Sequence, residues 1–329
     1  MASELEYASA AACATMDETT PPEMSPQHHP VLVQETLTFL QPRPGSVIVD
    51  ATVGLGGHSL AILPHLIPHG RLIALDRDER ALELARKRLV EFDELVTFIH
   101  DDFRNLPLVL ENLGIRQIDG VIADLGMSSM QVDSAERGFS FAKSGPLDMR
   151  MDQSQPLSAG SLVNTWSAEE LQDIIGRLGE ERFAGRIARR IAQARDKSEI
   201  RTTAELAEII RLAVPPQARY GRIHPATRTF QALRMAVNDE VGALEQFLGS
   251  LHGLLRAGGR AVLISFHSLE DRPVKQTFAE GKRHGIWTVL TKKPCYASDQ
   301  EVLENPRARS AKLRAVERGP NASEGPFSS

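Results

Sequence analysis

The chain has 329 residues, of which 42% are hydrophobic and 25% are charged, and its formal net charge is -5. A chain of this length and composition can bury a substantial core, which excludes a disordered protein and predicts one large domain or a domain with a second one inserted. Cys13 and Cys295 are the two cysteines, far apart and outside any C-x-x-C spacing. This excludes a disulfide framework and a cysteine-based zinc site, and it favours a reducing compartment.

The N-terminal residues are not expected to form a secretion signal. Residues 1–34 contain acidic side chains but no lysine, no arginine and no apolar core of the kind a signal peptide needs. We interpret residues 1–27 as a flexible acidic tail and residues 320–329 as a second flexible tail. No run approaches the roughly 20 apolar residues that cross a bilayer, so we expect a cytoplasmic protein with no membrane partner.

The negative total charge conceals two basic segments. Residues 177–234 contain 13 Lys and Arg against 6 Asp and Glu, a balance of +7, and residues 272–318 contain 11 against 5, a balance of +6. Segments of this kind could contact phosphates and make binding depend on salt. Solvated helix faces are an equally good interpretation of the charge alone.

Short apolar strands alternate with helices in the first half of the chain. The predicted strands are residues 46–53 (SVIVDATV), 71–75, 96–100 and 118–123, and the predicted helices are residues 58–66 and 79–92. In the second helix, Leu82, Ala85, Leu89 and Phe92 share one face. The alternation implies parallel strands joined by right-handed crossovers, hence an α/β fold with a doubly wound sheet whose ligands lie at the carboxyl ends of the strands.

The alternation stops after Asp124. A long stretch of loop and amphipathic helix follows before the next convincing strand, residues 260–266 (RAVLISF). We interpret residues 135–234 as an inserted helical domain. Because it carries the first basic segment and adjoins the loop after Asp124, it is a candidate for RNA recognition. Residues 28–134 and 235–319 then form one discontinuous sheet domain.

The sheet is completed near the C-terminus. A helix predicted over residues 238–255, followed by a turn at Gly258, restores the alternation before the strand at 260–266. Residues 287–291 and 312–316 are β-like and are joined without a helical crossover. These two strands are therefore expected to pair antiparallel.

The loop after the first predicted strand is suited to a bound molecule. In residues 54–59 (GLGGHS), glycines allow positive φ and a close approach of the backbone to a ligand. Asp76, at the end of the next strand, is placed to accept hydrogen bonds from ribose hydroxyls. NAD and S-adenosylmethionine both fit this pair, but Ser59 replaces the third glycine of G-x-G-x-x-G and Asp50 precedes the loop, which favours S-adenosylmethionine. No lysine follows the glycines, so a phosphate-binding Walker A loop is excluded.

Asp124 ends the fourth predicted strand beside this loop and is the candidate catalytic residue. A carboxylate there could accept a hydrogen bond from an amine and localise its lone pair toward a methyl group. Holding the cofactor or capping a turn is an equally good interpretation. His58 is a candidate general base, although a histidine in such a loop more often donates a hydrogen bond. His28, His29 and His267 lack ligand partners at metal-site spacing, so no metal is expected.

Two aromatic residues lie at the start of the inserted domain. Phe139 and Phe141, flanked by Arg137 and Lys143, could stack on unpaired RNA bases. Packing of both rings in a core is the favoured alternative.

Several longer motifs follow one another in a fixed order. They are residues 29–32 (HPVL) with Glu35, 54–59 (GLGGHS), 124–126 (DLG) with 128–129 (SS), 136–141 (ERGFSF), 145–152 (GPLDMRMD), 224–240 (HPATRTFQALRMAVNDE), 265–271 (SFHSLED) and 305–318 (NPRARSAKLRAVER). Together they cover most of residues 28–319. In this order they resemble the ribosomal RNA small subunit methyltransferase H family, which methylates N4 of a cytidine in bacterial 16S rRNA.

The resemblance implies a Rossmann-like class I methyltransferase whose co-substrate is S-adenosylmethionine. The implied partner is 16S rRNA within the 30S subunit, methylated at cytidine 1402, and a homodimer is compatible with it. Residue by residue, the implied cofactor contacts are Gly56, Gly57, His58, Asp76, Phe103, Asp124 and Gln131. The sequence departs from the family pattern in three places: the acidic tail before His28, Met130, where proline is usual, and residues 292–300 (KKPCYASDQ). Met130 could shift the loop that presents Gln131.

Two competing functions remain open from the sequence. One is an RNA-binding or ribosome-assembly protein that keeps the methyltransferase fold without turnover. The other is an NAD-dependent dehydrogenase. A complete cofactor pocket disfavours the first, and the missing third glycine disfavours the second.

Overall fold

A computed structural model describes residues 30–221 and 223–320, with only the backbone of Ser129. The tails predicted at residues 1–27 and 320–329 lie outside the described residues, apart from residue 320, and so do His28 and His29. Within the described ranges, no helix combines the length and the apolar character needed to cross a bilayer.

One sheet organises the described chain. Its strands are β1 (Val47–Asp50), β2 (Arg71–Asp76), β3 (Val96–His100), β4 (Ile118–Asp124), β5 (Leu255–Ser265), β6 (Trp287–Val289) and β7 (Lys312–Arg318). Their spatial order is β3-β2-β1-β4-β5-β7-β6. Strands β1 to β5 are parallel, whereas β7 runs antiparallel to both β5 and β6. The doubly wound sheet and the antiparallel pair at the C-terminus are therefore confirmed.

Helices cover both faces of this sheet. In chain order the helices are α1 (Val33–Leu40), α2 (Gly57–Ile62), α3 (Glu79–Arg88), α4 (Leu106–Asn112), α5 (Ser129–Asp133), α6 (Ala159–Thr165), α7 (Ala168–Gly179), α8 (Ala184–Arg195), α9 (Thr203–Ala213), α10 (Ala226–Asn238), α11 (Glu240–Leu254), α12 (Ser268–Arg283) and α13 (Asp299–Glu304). Neighbouring residues of β1 point to opposite faces. Accordingly, Val49 packs with α4, α11 and α12, while Ile48 packs with α1 and α2.

Several predicted boundaries are wrong by a few residues. The first strand ends at Asp50 because the chain turns through residues 51–56 into α2. The helix predicted over 79–92 stops at Arg88 and continues as a 3-10 turn, and the predicted face of Leu82, Ala85 and Leu89 is buried. In the helix predicted over 58–66, the second half is likewise a 3-10 turn.

The second half of the sheet contains two further corrections. The helix predicted over 238–255 begins at Glu240, because Asp239 has a left-handed φ of 46° and separates α10 from α11. The turn predicted at Gly258 lies inside β5, where φ is 76° and the pairing with β4 shifts register. Strand β5 thus starts earlier than predicted.

Helices α6 to α10 pack around a cluster of buried residues of their own. This cluster extends from Phe139 to Val237 and includes Leu171, Ile187 and Leu233, each 0% exposed. Helix α10 continues to Asn238, beyond the predicted domain boundary at residue 234. The side-chain amide of Asn238 donates a hydrogen bond from Nδ2 to the carbonyl oxygen of Met149 at 2.7 Å. This bond holds the end of the helix against the first loop of the same helical region.

Candidate functional site

A cavity of about 390 Å³ opens at the carboxyl ends of β1 to β5. Its lining includes Val53 after β1, Phe103 after β3, Leu125 after β4 and Phe266 after β5. The volume falls within the range of roughly 300–1,000 Å³ that small-molecule sites occupy. The cavity therefore lies where the topology of a doubly wound sheet places ligands.

The glycine loop forms one wall of the cavity. Gly54 has a φ of 51°, and a Cβ atom built there would meet no protein atom closer than 3.9 Å, so the backbone is open to a ligand. Gly57 also lines the cavity, whereas Gly56 does not. A Cβ at Gly56 would lie 3.3 Å from the side chain of Leu89, so this glycine permits close packing of the loop on α3. Cofactor binding by Gly56 stays a prediction.

Asp76 links the loop to the second strand. Its Oδ2 accepts a hydrogen bond from the Gly54 amide at 2.8 Å and its Oδ1 accepts one from the Asp78 amide at 2.9 Å. Each carboxylate oxygen keeps a further acceptor position, so this side chain can still bind the hydroxyls of a ribose. Burial raises the pKa of Asp76 to about 6, against the lowering effect of the two amides.

Ser59, which replaces the third glycine of the dinucleotide pattern, has a structural partner. Its hydroxyl donates to Oδ2 of Asp50 at 2.6 Å, and both residues are buried. Burial raises the pKa of Asp50 to about 6, although the hydrogen bond from Ser59 lowers it. The sequence singled out both residues but did not show that they bond to each other.

Asp124 and His58 both line the cavity and lie close to each other. Nδ1 of His58 lies 3.8 Å from Oδ2 of Asp124, and Nε2 of His58 donates to the carbonyl oxygen of Val31 at 2.8 Å. Oδ1 of Asp124 is buried and has no hydrogen-bond partner in the protein. Burial, followed by the charges of Asp50 and Glu270, raises the pKa of Asp124 well above its ordinary value. An unpartnered buried acceptor of this kind fits a ligand that donates a hydrogen bond.

Phe103 and Gln131, the other implied cofactor contacts, both line the cavity. The Phe103 ring packs edge-on against Phe247, with 5.2 Å between ring centroids. Gln131 is 4% exposed and its Nε2 donates to Oδ2 of Asp78 at 2.9 Å. It also forms a capping box with Ser128 at the start of α5. Helix α5 is therefore capped normally with methionine at position 130.

The aromatic pair at 139 and 141 belongs to the protein core. Phe139 is 7% exposed, and Phe141 packs against Phe230 with 4.9 Å between centroids. Arg137 is 1% exposed and forms an ion pair with Asp78, 2.9 Å from Nη1 to Oδ2. Core packing is thus confirmed, and Arg137 is not available to contact RNA.

The far end of the cavity contains charged residues to which the sequence assigned no role. Arg234 is paired with Glu240 through two hydrogen bonds of 2.8 and 2.7 Å. Nε2 of His267 lies 3.0 Å from Oε1 of Glu270 and 3.4 Å from Nη2 of Arg234. Glu240, His267 and Glu270 have the spacing of metal ligands. The Arg234 guanidinium lies among them and supplies the positive charge that balances the carboxylates.

Comparisons with known proteins agree with the motifs. A model described as the MraW methylase family matches residues 25–319. A protein of Symbiobacterium thermophilum named ribosomal RNA small subunit methyltransferase H is 49% identical over 309 residues, which are 89% of this chain and 97% of that relative. The protein of the same name from Geobacter sulfurreducens is 50% identical and covers 90% of this chain and 100% of its own length.

A solved structure described as an rRNA methylase from Streptococcus thermophilus aligns with a TM-score of 0.42 and 14% identity. The alignment covers 87% of this chain and 96% of that one. The assignment of the family does not depend on this likeness.

Proposed function

The chain belongs to the MraW methylase family, and on that premise we propose that it transfers a methyl group from S-adenosylmethionine to N4 of cytidine 1402 in 16S rRNA. Relatives that share about half of its residues bear the name of a small-subunit rRNA methyltransferase. The observation that carries the proposal is a single cavity, which extends from the glycine loop and Asp76 to the unpartnered Oδ1 of Asp124.

The residues of the cavity fit S-adenosylmethionine. When bound, this co-substrate supplies a methyl group already activated on a sulfonium. Asp76 would accept hydrogen bonds from the ribose hydroxyls, Gly54 and Gly57 would let the backbone approach the ligand, and the ring of Phe103 would lie against the adenine. Asp124 also lines the cavity, and a cationic ligand would favour the ionised form of its carboxyl and be attracted by that charge.

Asp124 would contact the target amine. The lone pair of an exocyclic amine is delocalised into the base, so an acceptor on one N–H increases the electron density available for attack on the methyl carbon. Oδ1 of Asp124 is such an acceptor, because it is buried and has no partner in the protein. A positively charged co-substrate beside this carboxyl favours its ionised form, which is the form that accepts hydrogen bonds best.

We propose that the helical region at residues 135–234 binds the rRNA. Many of its arginines already have partners within the protein, either carboxylates or main-chain oxygens. They are Arg177, Arg195, Arg201, Arg211, Arg219, Arg228 and Arg234. Arg186, Arg189 and Arg190 on α8 are exposed. Being three and four residues apart, they share one face of the helix and offer a basic surface to phosphates.

Reversing that charge tests the RNA-binding surface. Replacing Arg186, Arg189 and Arg190 by Glu should weaken 16S rRNA binding and reduce the slope of its salt dependence by about 3, because each lost phosphate contact lowers the slope by about one. The matched control reverses three other exposed charges, Arg116, Lys282 and Arg283. Arg116 precedes β4, and the other two end α12, so they lie at the sheet edge opposite the cavity. Equal losses in the two triple variants would contradict the assignment.

Methyl transfer itself is tested with labelled S-adenosylmethionine. The acceptors are free 16S rRNA, 30S subunits and 50S subunits, all from cells that lack this methylation. We expect label in 16S rRNA, more of it when the 30S subunit is the acceptor, and about tenfold weaker cofactor binding by calorimetry after Asp76→Ala. Cofactor binding with no transfer to any acceptor would favour the assembly-protein function. Binding of NAD instead of S-adenosylmethionine would favour a dehydrogenase. The predicted homodimer is tested separately, by sedimentation of the free protein.

A further inference from the structure

A primary amine has two N–H groups, and the cavity has two buried acceptors to match them. Among the described residues that line it, the buried acceptor atoms without a hydrogen-bond partner are Oδ1 of Asp124 and Nδ1 of His267. The first is already assigned to one N–H of the target amine. The second belongs to a residue for which the motifs gave no function.

The partners of His267 determine which of its nitrogens carries the proton. Nε2 lies 3.0 Å from Oε1 of Glu270. Burial raises the pKa of Glu270, but the hydrogen bond and charge of His267, together with the charge of Arg234, lower it below its ordinary value, so its carboxylate only accepts. Nε2 therefore donates, and in the neutral imidazole this leaves the lone pair of Nδ1 free. Arg234 is also only a donor, so it does not compete for the proton on Nε2.

Glu270 holds this imidazole beside the Asp124 loop. Oε2 of Glu270 accepts from the Phe266 amide at 2.8 Å, which fixes the carboxylate at the start of α12. Gly126 follows Asp124 by two residues. A Cβ atom built on Gly126 would lie 3.8 Å from Oε1 of Glu270. Gly126 has a φ of 104° and no side chain, so the pair can pack directly against this loop. His267, Glu270 and Asp124 all line the same cavity.

We propose that His267 is a catalytic residue that removes a proton from the target amine, an assignment that rests on the function proposed above. In this step the amine nitrogen uses its lone pair to form a bond to the methyl carbon. The carbon–sulfur bond breaks, and its electron pair stays on sulfur as a neutral thioether. The positive charge that develops on the nitrogen is relieved when the lone pair of His267 Nδ1 takes one of its two protons. The resulting imidazolium is held by the carboxylate of Glu270 and afterwards returns the proton to solvent.

The protonation of the imidazole can be measured without turnover. In protein labelled with 15N-histidine, two-bond proton–nitrogen spectra distinguish the two ring nitrogens of His267. We expect a proton on Nε2 and none on Nδ1 in the ligand-free wild type. In Glu270→Gln this preference should weaken, because a neutral amide no longer requires a donor. A proton on Nδ1 in the wild type would overturn the proposal, since that nitrogen would then have no lone pair to accept another.

The kinetic test is chemical rescue of His267→Ala. The side chain of His267 makes no capping hydrogen bond to the main chain of α12, so its removal takes away no main-chain bond at the start of the helix. With 30S acceptor and both substrates saturating, kcat should fall by about 10²-fold or more, while the Kd for S-adenosylmethionine stays within about twofold. Added imidazole should restore the rate of this variant without changing that of the wild type. The matched control is His284→Ala at the exposed end of α12, which should behave as wild type.

The outcomes separate the two proposals. If the wild type transfers no methyl group to 16S rRNA, the proposed function fails whatever the variants do. If the wild type is active and His267→Ala keeps a rate within about threefold of it, the role of His267 is refuted. A loss that imidazole does not reverse, accompanied by weaker cofactor binding, would make His267 a structural residue and would refute the proposal as well.

Discussion

Replacing Arg137 by methionine should destabilise the protein strongly. Nη1 of Arg137 lies 2.9 Å from Oδ2 of Asp78, and the two side chains are 1% and 2% exposed. Nη2 donates to the carbonyl oxygens of residues 150 and 151, both at 3.0 Å. Methionine fills much of the volume but leaves the carboxylate of Asp78 buried without its counter-charge. Loss of one partner of such a pair costs about 3–5 kcal/mol of unfolding free energy.

Urea denaturation followed by circular dichroism measures this loss. The matched control is Lys143→Met, which removes an exposed cation from the other side of the same aromatic pair and should change the free energy of unfolding by less than about 0.5 kcal/mol. Asp78→Asn in the Arg137→Met background should recover part of the loss, because the orphaned charge is removed. A cost below about 1 kcal/mol for Arg137→Met would refute the burial and pairing described here.

Further predictions concern the loop and the helical region. Ser59→Ala should cost about 1.5–3 kcal/mol at pH 8, where its hydrogen bond is to a charged carboxylate, and less at pH 5, as measured by urea denaturation. The pKa of Asp50 is raised from 3.8 to about 6 in the folded protein, so its protonated carboxyl stabilises the fold at low pH, and this contribution is lost as pH rises through about 6. Asp50→Asn should remove a fall of about 2.4 kcal/mol in the free energy of unfolding between pH 4 and 7. An unchanged pH profile would contradict this. Asp76→Asn should weaken S-adenosylmethionine binding about tenfold in calorimetry, because an amide nitrogen cannot accept a hydrogen bond. Gly138→Ala should lower stability by about 3 kcal/mol, since φ is 69° and the new Cβ would lie 2.1 Å from a main-chain oxygen; an unchanged melting temperature would refute it.

The sheet could be predicted from the sequence because its signal is local. Buried parallel strands read as short apolar runs, and β2 and β4 differ from their predicted ranges by a single residue at one end. The predicted boundaries of helices and strands were wrong where the backbone conformation departs from what the pattern of apolar side chains indicates. Asp239 fits a continuous helical pattern, yet its left-handed φ of 46° divides α10 from α11. Nothing in the periodicity of the side chains signals that break.

Only part of the candidate site could be predicted from the sequence. Asp76 and Asp124 were found because each ends a strand of a doubly wound sheet, whose carboxyl edge is predictable. The group of Arg234, His267 and Glu270 was not found from the sequence, because its members lie far apart along the chain. Arg234 ends the helical region, and the other two follow β5. Their contact depends on how α10 packs beside the sheet, which no local pattern specifies. The motif at 265–271 was the signal that could have drawn attention to it.

The position of the methyl group on the product tests the proposed reaction. The wild-type protein, S-adenosylmethionine and unmethylated 30S subunits are incubated, and the 16S rRNA fragment that contains position 1402 is isolated. This fragment is digested to nucleosides, which are separated and identified by mass spectrometry. We expect N4-methylcytidine from the wild type, and about tenfold less of it with Asp76→Ala when S-adenosylmethionine is well below saturation. Methyl groups on a ring carbon, on a ribose oxygen or on another base would contradict the proposed reaction, because Oδ1 of Asp124 and Nδ1 of His267 are proposed to face the two N–H groups of the target amine.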